Sequence, residues 1–282
     1  MTIELIDAII TALRPLQFKG KGRLAELLVP RSKHRSALLF GSQFCLDTSD
    51  YLQRQMYAGS FERLETRIVR NALRPGMTFV DVGANVGYYT ALAAHLVGPS
   101  GAVFAFEPSD YAHARLTKMV ETSGLESVRI IKCGLADVAG ERFLYGAVDE
   151  EPCELHTATM VPCDNPQRAL VRIETLDNVA EQLNIMHIDL MKIDVDGLEP
   201  LVLKGAANLI ARGRISNILM ECVENGFTRW VPARSEIIDY LKASGFRRVD
   251  RVGSASIHAS SLSQPRCTRA VSGGLSASKM SR

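Results

Sequence analysis

Cysteine is scarce and poorly spaced for metal or redox chemistry: six residues, at positions 45, 133, 153, 163, 222 and 267, form no Cys-x-x-Cys and no finger-like Cys/His pattern. They read as reduced thiols of a cytosolic protein, and no metal site is expected. An excess of charge is also missing. Lys plus Arg total 33 against 31 Asp plus Glu, so the chain lacks the electrostatic footprint of a nucleic-acid binder and no such partner is expected. No apolar run approaches the roughly 20 residues that cross a bilayer, which speaks against stable membrane insertion. Near the N-terminus Ile3, Ile6, Ile10 and Leu13 recur at helical spacing, but Glu4 and Asp7 fall where an export signal is basic and then uninterruptedly apolar. No export signal is expected, and a stripe of this kind commonly packs against its own domain, a peripheral membrane role being the alternative.

Two nucleotide fingerprints are absent as well. Counting from Gly83, the later glycine positions of a G-x-G-x-x-G dinucleotide loop hold Asn85 and Tyr88, and nothing resembles the Gly-Lys-Ser/Thr of a phosphate loop. What is present is Phe79-Val80-Asp81-Val82-Gly83-Ala84-Asn85-Val86-Gly87-Tyr88-Tyr89-Thr90, an apolar strand running through an acid into a glycine loop and a helix. Gly83 and Gly87 permit a sharp strand-to-helix turn and a close approach of backbone to a ligand. A second strand, Ala102-Val103-Phe104-Ala105-Phe106-Glu107-Pro108, ends on an acid at the position from which carboxylates grip ribose hydroxyls. Asp81 would repel a phosphate, so a ligand with a ribose and no phosphate fits. S-adenosyl-L-methionine answers that description, since its amino and sulfonium groups are cationic and its ribose offers two hydroxyls to Glu107. An ordinary strand-turn-helix with a surface carboxylate is the plain alternative.

Three motifs in order, Asp81 to Thr90, then Ala105-Phe106-Glu107-Pro108, then Leu176-Asp177 with Lys192-Ile193-Asp194-Val195-Asp196-Gly197-Leu198-Glu199, resemble those of the FkbM-type S-adenosylmethionine-dependent methyltransferases. The similarity spans approximately residues 60 to 250. It implies an α/β fold with a Rossmann-like class I methyltransferase sheet, mainly parallel, with helices on both faces and a C-terminal antiparallel hairpin. It also implies that the cofactor lies on Asp81, Gly83, Ala84, Asn85, Gly87, Thr90, Glu107 and Pro108. Two positions depart from the pattern: Asp196 stands where the family usually has Glu, and Glu121-Thr122-Ser123 lacks an Asn that family members commonly carry there, which puts one adenine-side contact in question.

The 282 residues, 46% hydrophobic, suffice for one enzyme domain with extensions. Residues 1–59 read as a helical or irregular extension, with no clear period from 31 to 59. Residues 60–252 read as the methyltransferase domain, in which a helix from Phe61 to Ala72 precedes alternating strands and helices. Phe246 to Val252 supplies only one convincing strand, so the final strand is either degenerate or drawn weakly from Ala255 to Ala259. Residues 253–282, Ser-rich and without acids, read as a disordered tail. The irregular interval 146–170, with Asp149-Glu150-Glu151-Pro152, reads equally as a binding lid or as a solvated acidic loop.

The acids Asp81, Glu107, Asp194 and Glu221 all fall near strand ends and are expected to converge on one rim. Transfer of a methyl group from a sulfonium to a hydroxyl is an in-line displacement that also needs a proton acceptor. Asp194 is the first choice as base and Glu221 the next; for Asp194, a helix cap or a hold on the methionine end of the cofactor are the alternatives. His187, Asp189, Asp194, Asp196 and Glu199 supply metal-ligand chemistry, yet His187, Asp189 and Lys192 differ from Asp194 in strand parity and depth, and Glu199 belongs to the next helix, where it braces the junction through Lys192 or a backbone amide. An Asp/Asn-Pro-Pro-aromatic stretch, frequent in methylases of nucleobase amines, is absent. Oxygen is therefore the favoured acceptor atom, and the family resemblance implies a hydroxyl on a sugar, glycolipid or polyketide-type metabolite. The competing readings are a non-catalytic S-adenosylmethionine-binding scaffold and, less favoured, a dehydrogenase.

Overall fold

A computed structural model describes residues 3–14, 16, 18–32, 34–146, 160, 168–222, 234–253 and 255–261. In chain order, an N-terminal layer comprises α1 (Ile3–Leu13), α2 (Lys21–Leu28), β1 (Arg35–Leu39), β2 (Ser42–Leu46), α3 (Tyr51–Ala58) and α4 (Arg63–Ala72). The alternating region follows with β3 (Thr78–Val82), α5 (Tyr88–Val97), β4 (Ala102–Phe106), α6 (Asp110–Thr122) and β5 (Val128–Ile131). Next come the short β6 (Gly134–Leu135), β7 (Gly140–Tyr145), β8 (Arg168–Glu174), α7 (Leu176–Gln182) and β9 (Leu190–Ile193). The chain closes with α8 (Glu199–Gly205), α9 (Ala207–Ala211), β10 (Asn217–Glu221), α10 (Arg234–Ala243), β11 (Arg248–Val252) and β12 (Ser256–Ser260).

The main sheet has seven strands in the order β11-β12-β10-β9-β3-β4-β5. β10, β9, β3, β4 and β5 are mutually parallel, and β12 runs antiparallel between β10 and β11. Strand order therefore reverses between β3 and β9, the switch point outside which open α/β sheets bind ligands. Strand alternation divides the core in two. Phe79, Val103, Ala105, Leu190 and Leu219 pack on the side of α5 and the N-terminal layer, whereas Val80, Val82, Met191, Ile193 and Ile218 pack on the other side. Asp81 aligns with Lys192 across the β3–β9 pair and Lys192 with Leu219 across β9–β10, so their side chains share the first face.

Three expectations are corrected here. The N-terminal extension holds a β-hairpin, β1–β2, whose two-residue turn places both Phe40 (φ 54°) and Gly41 (φ 80°) in the left-handed region. Its strands alternate buried and exposed, but the buried positions include Arg35 and Ser42 and the exposed ones Leu38, which disguises the period. This layer belongs to the main core: Ile10, Ala25, Phe44 and Met56 share one buried cluster with Phe79 and Leu92. A single amine fastens it, because buried Lys21 donates from Nζ to the carbonyls of Arg14 (2.6 Å), Leu16 (2.9 Å) and Gly59 (2.9 Å).

Second, the C-terminal hairpin is complete. The chain turns at Gly253 (φ 60°), and β12, with the composition Ser-Ile-His-Ala-Ser, fills the gap between β10 and β11. Its buried Ser256 and Ser260 hide it from any hydrophobic pattern, and Ser256 Oγ donates to Glu65 Oε1 of α4 at 3.0 Å. The tail expected from 253 therefore contains a sheet strand as far as Ser260; beyond residue 261 it lies outside the described residues. Third, the interval expected to be irregular from 146 to 170 gives its last residues to β8, which pairs with β7 and β6 in a separate three-stranded sheet. Most of the remainder, 147–159 and 161–167, lies outside the described residues, as do Cys153, Cys163 and Cys267. Among the described residues no helix is long and apolar enough to cross a membrane.

Candidate active site

The loop after β3 is built by close backbone packing. The amides of Gly83 and Ala84 both donate to the Phe106 carbonyl, at 3.1 and 3.0 Å, which ties the loop to the end of β4. Gly83 has φ 82°, and a Cβ there would lie 2.0 Å from the Asp194 carbonyl oxygen. Gly87 has φ 91°, and its Cβ would meet Met119 Cε at 2.5 Å and Leu116 Cδ1 at 2.7 Å. Backbone atoms of the protein therefore leave no room for a Cβ at Gly83, and the positive φ at both positions favours glycine. Asn85 takes a left-handed conformation, φ 50°, that Asn tolerates better than most residues.

Glu107 sits buried just beyond β4 and accepts from the amides of Asn85 (2.8 Å, Oε2) and Ser109 (2.9 Å, Oε1). Burial pushes its carboxyl up to about 7, against the pull of those two N–H donors. Pro108 follows half-buried, and Ser109 caps α6. Asp81 is buried, with Oδ2 accepting from Thr90 Oγ1 at 2.7 Å, and burial raises its carboxyl too. Thr90 has no exposed surface, so it serves the rim through Asp81. Two buried oxygens here, Asp81 Oδ1 and Asn85 Oδ1, have no hydrogen-bond partner among the described residues. An acceptor-rich, anionic set of this kind suits a ligand carrying donors and positive charge, as S-adenosylmethionine does, and disfavours phosphate.

Beside this rim lies a cluster that only the fold assembles. Lys192 Nζ donates to Asp194 Oδ2 at 2.6 Å and stands 4.6 Å from the centre of the Tyr89 ring. The Tyr89 hydroxyl donates to Glu62 Oε2 at 2.6 Å. Oxygens of Glu62, Asp194 and Glu221 lie within 4.8 Å of one another. Glu62 reaches the cluster from the start of α4 in a strained left-handed conformation, φ 33°, without capping its own helix.

Burial alone would raise the Asp194 carboxyl, but the Lys192 ammonium and hydrogen bonds from Glu221 and Lys192 outweigh it and hold Asp194 below the usual range. Glu221 is driven up to about 9 by burial, by the Asp194 charge and by the proton it donates to Asp194. Glu62 is driven up to about 7, chiefly by burial. At neutral pH Asp194 is therefore the ionised member, Glu221 carries a proton, and Glu62 is poised between the two states. Lys192 supplies the positive charge that three such oxygens call for.

The four expected acids do converge, but two details change. Lys192 was separated from Asp194 on strand parity; residues two apart on a strand share a face, and the two form an ion pair. Asp194 caps no helix, since Leu198 occupies the cap position of α8. His187 and Asp189 do lie apart, at the opposite end of β9, where His187 Nε2 meets Ser216 Oγ at 2.8 Å and Asp189 Oδ2 accepts from the Thr78 amide at 2.8 Å. Glu199 braces the strand–helix junction through backbone, accepting from the amides of Gly197 (3.1 Å) and Val195 (3.4 Å). Ser123 lies at the far end of the 13-residue α6, about 20 Å from the helix start beside Glu107, and accepts from the Gln43 amide of β2. The triplet 121–123 is therefore remote from the cofactor rim. Glu62 went unnoticed in the sequence because nothing in its local pattern marks it; only its left-handed backbone, a structural property, sets it apart.

The sheet order, the completed hairpin and the acid-tipped switch point define a Rossmann-like class I methyltransferase. Residues 81–248 match the family model described as "Methyltransferase FkbM domain", and the chain belongs to that family. Methyltransferases homologous to it depend on S-adenosyl-L-methionine. Among characterised relatives, the chain is 31% identical over 130 residues to ribosomal RNA large subunit methyltransferase E of Alkalilimnicola ehrlichii, covering 43% of this chain and 57% of that protein. It is 29% identical over 161 residues to the 31-O-demethyl-FK506 methyltransferase FkbM of Streptomyces tacrolimicus, covering 47% of this chain and 60% of that protein. The chain thus spans less than two thirds of either relative. A crystal structure of methyltransferase FkbM from Methylobacillus flagellatus superposes with a TM-score of 0.43 at 14% identity, covering 89% of this chain and 60% of that one.

Proposed function

We propose that this protein methylates a hydroxyl group of a sugar, glycolipid or polyketide-type metabolite. The observation that carries the reading is the Glu62–Asp194–Glu221 cluster around Lys192, adjoining the cofactor rim: it is proton-accepting machinery in the place where a hydroxyl acceptor needs it. S-adenosylmethionine, when bound, supplies an electrophilic methyl carbon. Glu107 and the loop of Gly83, Ala84 and Asn85 would hold its nucleoside, with Asp81, steadied by Thr90, facing its positive charge. Asp194, kept ionised by Lys192, accepts a hydrogen bond from the acceptor hydroxyl and orients it. As the oxygen loses its proton the cluster takes it up, with Glu62 best matched to do so near neutrality. Glu221, protonated, keeps Asp194 in place.

The test is transfer of labelled methyl from S-adenosylmethionine to a panel of hydroxyl compounds, with the product's linkage read by mass spectrometry. Label on oxygen that is lost in Asp194→Asn while S-adenosylhomocysteine binding persists supports the reading; label on nitrogen or carbon overturns it. No label on any acceptor, with cofactor binding intact, would favour the non-catalytic scaffold. Similarity to the ribosomal RNA methyltransferase of A. ehrlichii makes RNA the second reading, against which stands a formal net charge of only +2.

A further inference from the structure

Tyr89, in the first turn of α5, touches both signs of charge in the carboxylate cluster with one side chain. Its hydroxyl donates to Glu62 Oε2 at 2.6 Å, and the Lys192 ammonium stands over its ring, 4.6 Å from the centre. The ring is buried and hemmed in, with Tyr88 edge-on at 5.2 Å and Phe61, the residue before Glu62, at 6.3 Å between centroids. A buried phenol needs a partner for its O–H, and here the partner is the acid best matched to take up the acceptor's proton.

The place of Tyr89 in the chain ties this contact to the cofactor rim. Gly87 ends the loop that carries Asn85, α5 begins at Tyr88, and Thr90 donates its hydroxyl to Asp81 Oδ2 at 2.7 Å. Consecutive hydroxyls of one helical turn thus hold two acids, Thr90 the one on the cofactor side and Tyr89 the one beside the acceptor. Glu62 enters from the start of α4 on a left-handed backbone and makes no capping bond to its own helix, so its own helix end does not orient the carboxyl. The groups that face it are Tyr88 and Tyr89 of α5, Lys192 and Asp194 at the end of β9, Glu221 of β10 and Glu65 of α4. Lys192 and the Tyr89 hydroxyl favour the carboxylate, whereas Asp194, Glu65 and burial favour the protonated acid.

We infer that Tyr89 is a positioning residue of the reaction, its hydroxyl holding the Glu62 carboxylate where the proton of the methyl acceptor is taken up. This rests on the hydroxyl-methylation reading. In the step it serves, the O–H bond of the acceptor breaks, the electron pair stays on oxygen, and the proton passes to Glu62 Oε1, since Oε2 is engaged by Tyr89. The phenol keeps its own proton, because burial and the Glu62 charge push its ionisation well above the ordinary value. It therefore donates to Glu62 throughout the physiological range.

The test reads Glu62 without any acceptor. Full-length protein, isotopically labelled at its glutamate carboxyl carbons, is titrated by NMR, with the Glu62 signal identified by its loss in Glu62→Gln. Tyr89→Phe keeps the ring over Lys192 and removes only the hydroxyl. Loss of one hydrogen bond to a carboxylate should move the Glu62 midpoint up from about 7 by about one pH unit, while S-adenosylhomocysteine affinity changes less than twofold. Tyr89→3-fluorotyrosine, a stronger donor of nearly the same shape, should move it down. With any hydroxyl compound that takes label, the acid limb of kcat should follow the NMR midpoint in both variants, and Tyr89→Phe should slow Glu62→Gln no further, because the hydroxyl acts through Glu62. A Glu62 midpoint that neither variant moves overturns the inference, as does a further loss of roughly tenfold or more when Tyr89→Phe is added to Glu62→Gln. Failure of the hydroxyl-methylation reading would appear separately, as label on nitrogen or carbon with the wild-type protein, since the NMR titration is read without turnover.

Discussion

Lys192 Nζ lies 2.6 Å from Asp194 Oδ2, two residues further along the same face of β9 and the short segment that extends it. The Asp194, Glu62 and Asp81 charges hold the ammonium above its ordinary value despite burial, so the pair remains charged throughout the physiological range. Asp194 in turn stabilises the fold above the ordinary Asp range of about pH 4, and that contribution is lost as pH falls through its lowered folded-state value.

Lys192→Met should therefore be strongly destabilising at neutral pH. Breaking a buried pair by removing one partner costs about 3–5 kcal/mol, which for a domain of this size lowers the melting temperature by on the order of 10 °C. Without the ammonium, burial raises Asp194, so the deficit should narrow as the pH is lowered and the carboxyl protonates. Melting curves across pH check this; a deficit that stays constant would mean that the lysine acts by packing alone.

S-adenosylmethionine should bind with a pH dependence set by Glu107. In the free protein its carboxyl is pushed up to about 7; a cationic ligand with ribose donors favours the ionised form, so affinity falls below that pH and levels off above it. Glu107→Gln keeps one acceptor for the Asn85 or Ser109 amide but loses the charge, which should weaken binding by about 1.5–3 kcal/mol, roughly 10- to 100-fold, and flatten the profile. Titration calorimetry from acid to mildly alkaline pH reads both effects, and unchanged affinity in the variant would remove Glu107 from the ribose site.

Gly83→Ala carries two penalties at once, a positive φ and a Cβ placed 2.0 Å from the Asp194 carbonyl oxygen. Moving backbone is unavoidable, so destabilisation should exceed the roughly 1 kcal/mol of an ordinary Gly→Ala mismatch, and cofactor affinity should fall with it. Thermal melting and S-adenosylhomocysteine titration of the variant test this; a wild-type melting curve would mean that β3 and β9 meet less closely.

Turnover should follow a bell-shaped pH profile. Its acid limb, near 7, reflects ionisation of Glu62, and its alkaline limb, near 9, reflects loss of the Glu221 proton that supports Asp194. Glu62→Gln should abolish the acid limb and cost about 10²–10⁴ in rate, the usual worth of general base catalysis. An intact acid limb in that variant would assign proton transfer elsewhere.

Chelation should leave turnover unchanged, because Lys192 already supplies positive charge to the three carboxylates. Activity measured with EDTA and with added Mg²⁺ decides this; loss on chelation, restored by the ion, would make Glu62, Asp194 and Glu221 metal ligands.

The alternating segments, the glycine loop and the acids at the ends of β3, β4, β9 and β10 were legible in the sequence because each depends on local geometry: strand parity, a turn needing Gly83, an acid one residue past an apolar run. β12 was legible only as a weak alternative from Ala255 to Ala259, since its buried positions carry serine and its stability comes from pairing on both edges. The β1–β2 hairpin was hidden by a buried Arg35 and an exposed Leu38. Glu62 was invisible for a different reason. Its side chain acquires a role only when α4 is laid against α5, which brings Tyr89 within 2.6 Å of it.

By itself, then, the sequence determined the family, the α/β alternation and which acids stand at the sheet's carboxyl edge, all properties that propagate along the chain at a period of two residues or fewer than a dozen. Only the tertiary structure decided that Glu62 completes the carboxylate cluster with Asp194 and Glu221, and that the N-terminal layer packs into the main core. Those relations join residues tens of positions apart, and electrostatic energy depends on distance through space and on burial, neither of which is written in the order of the residues.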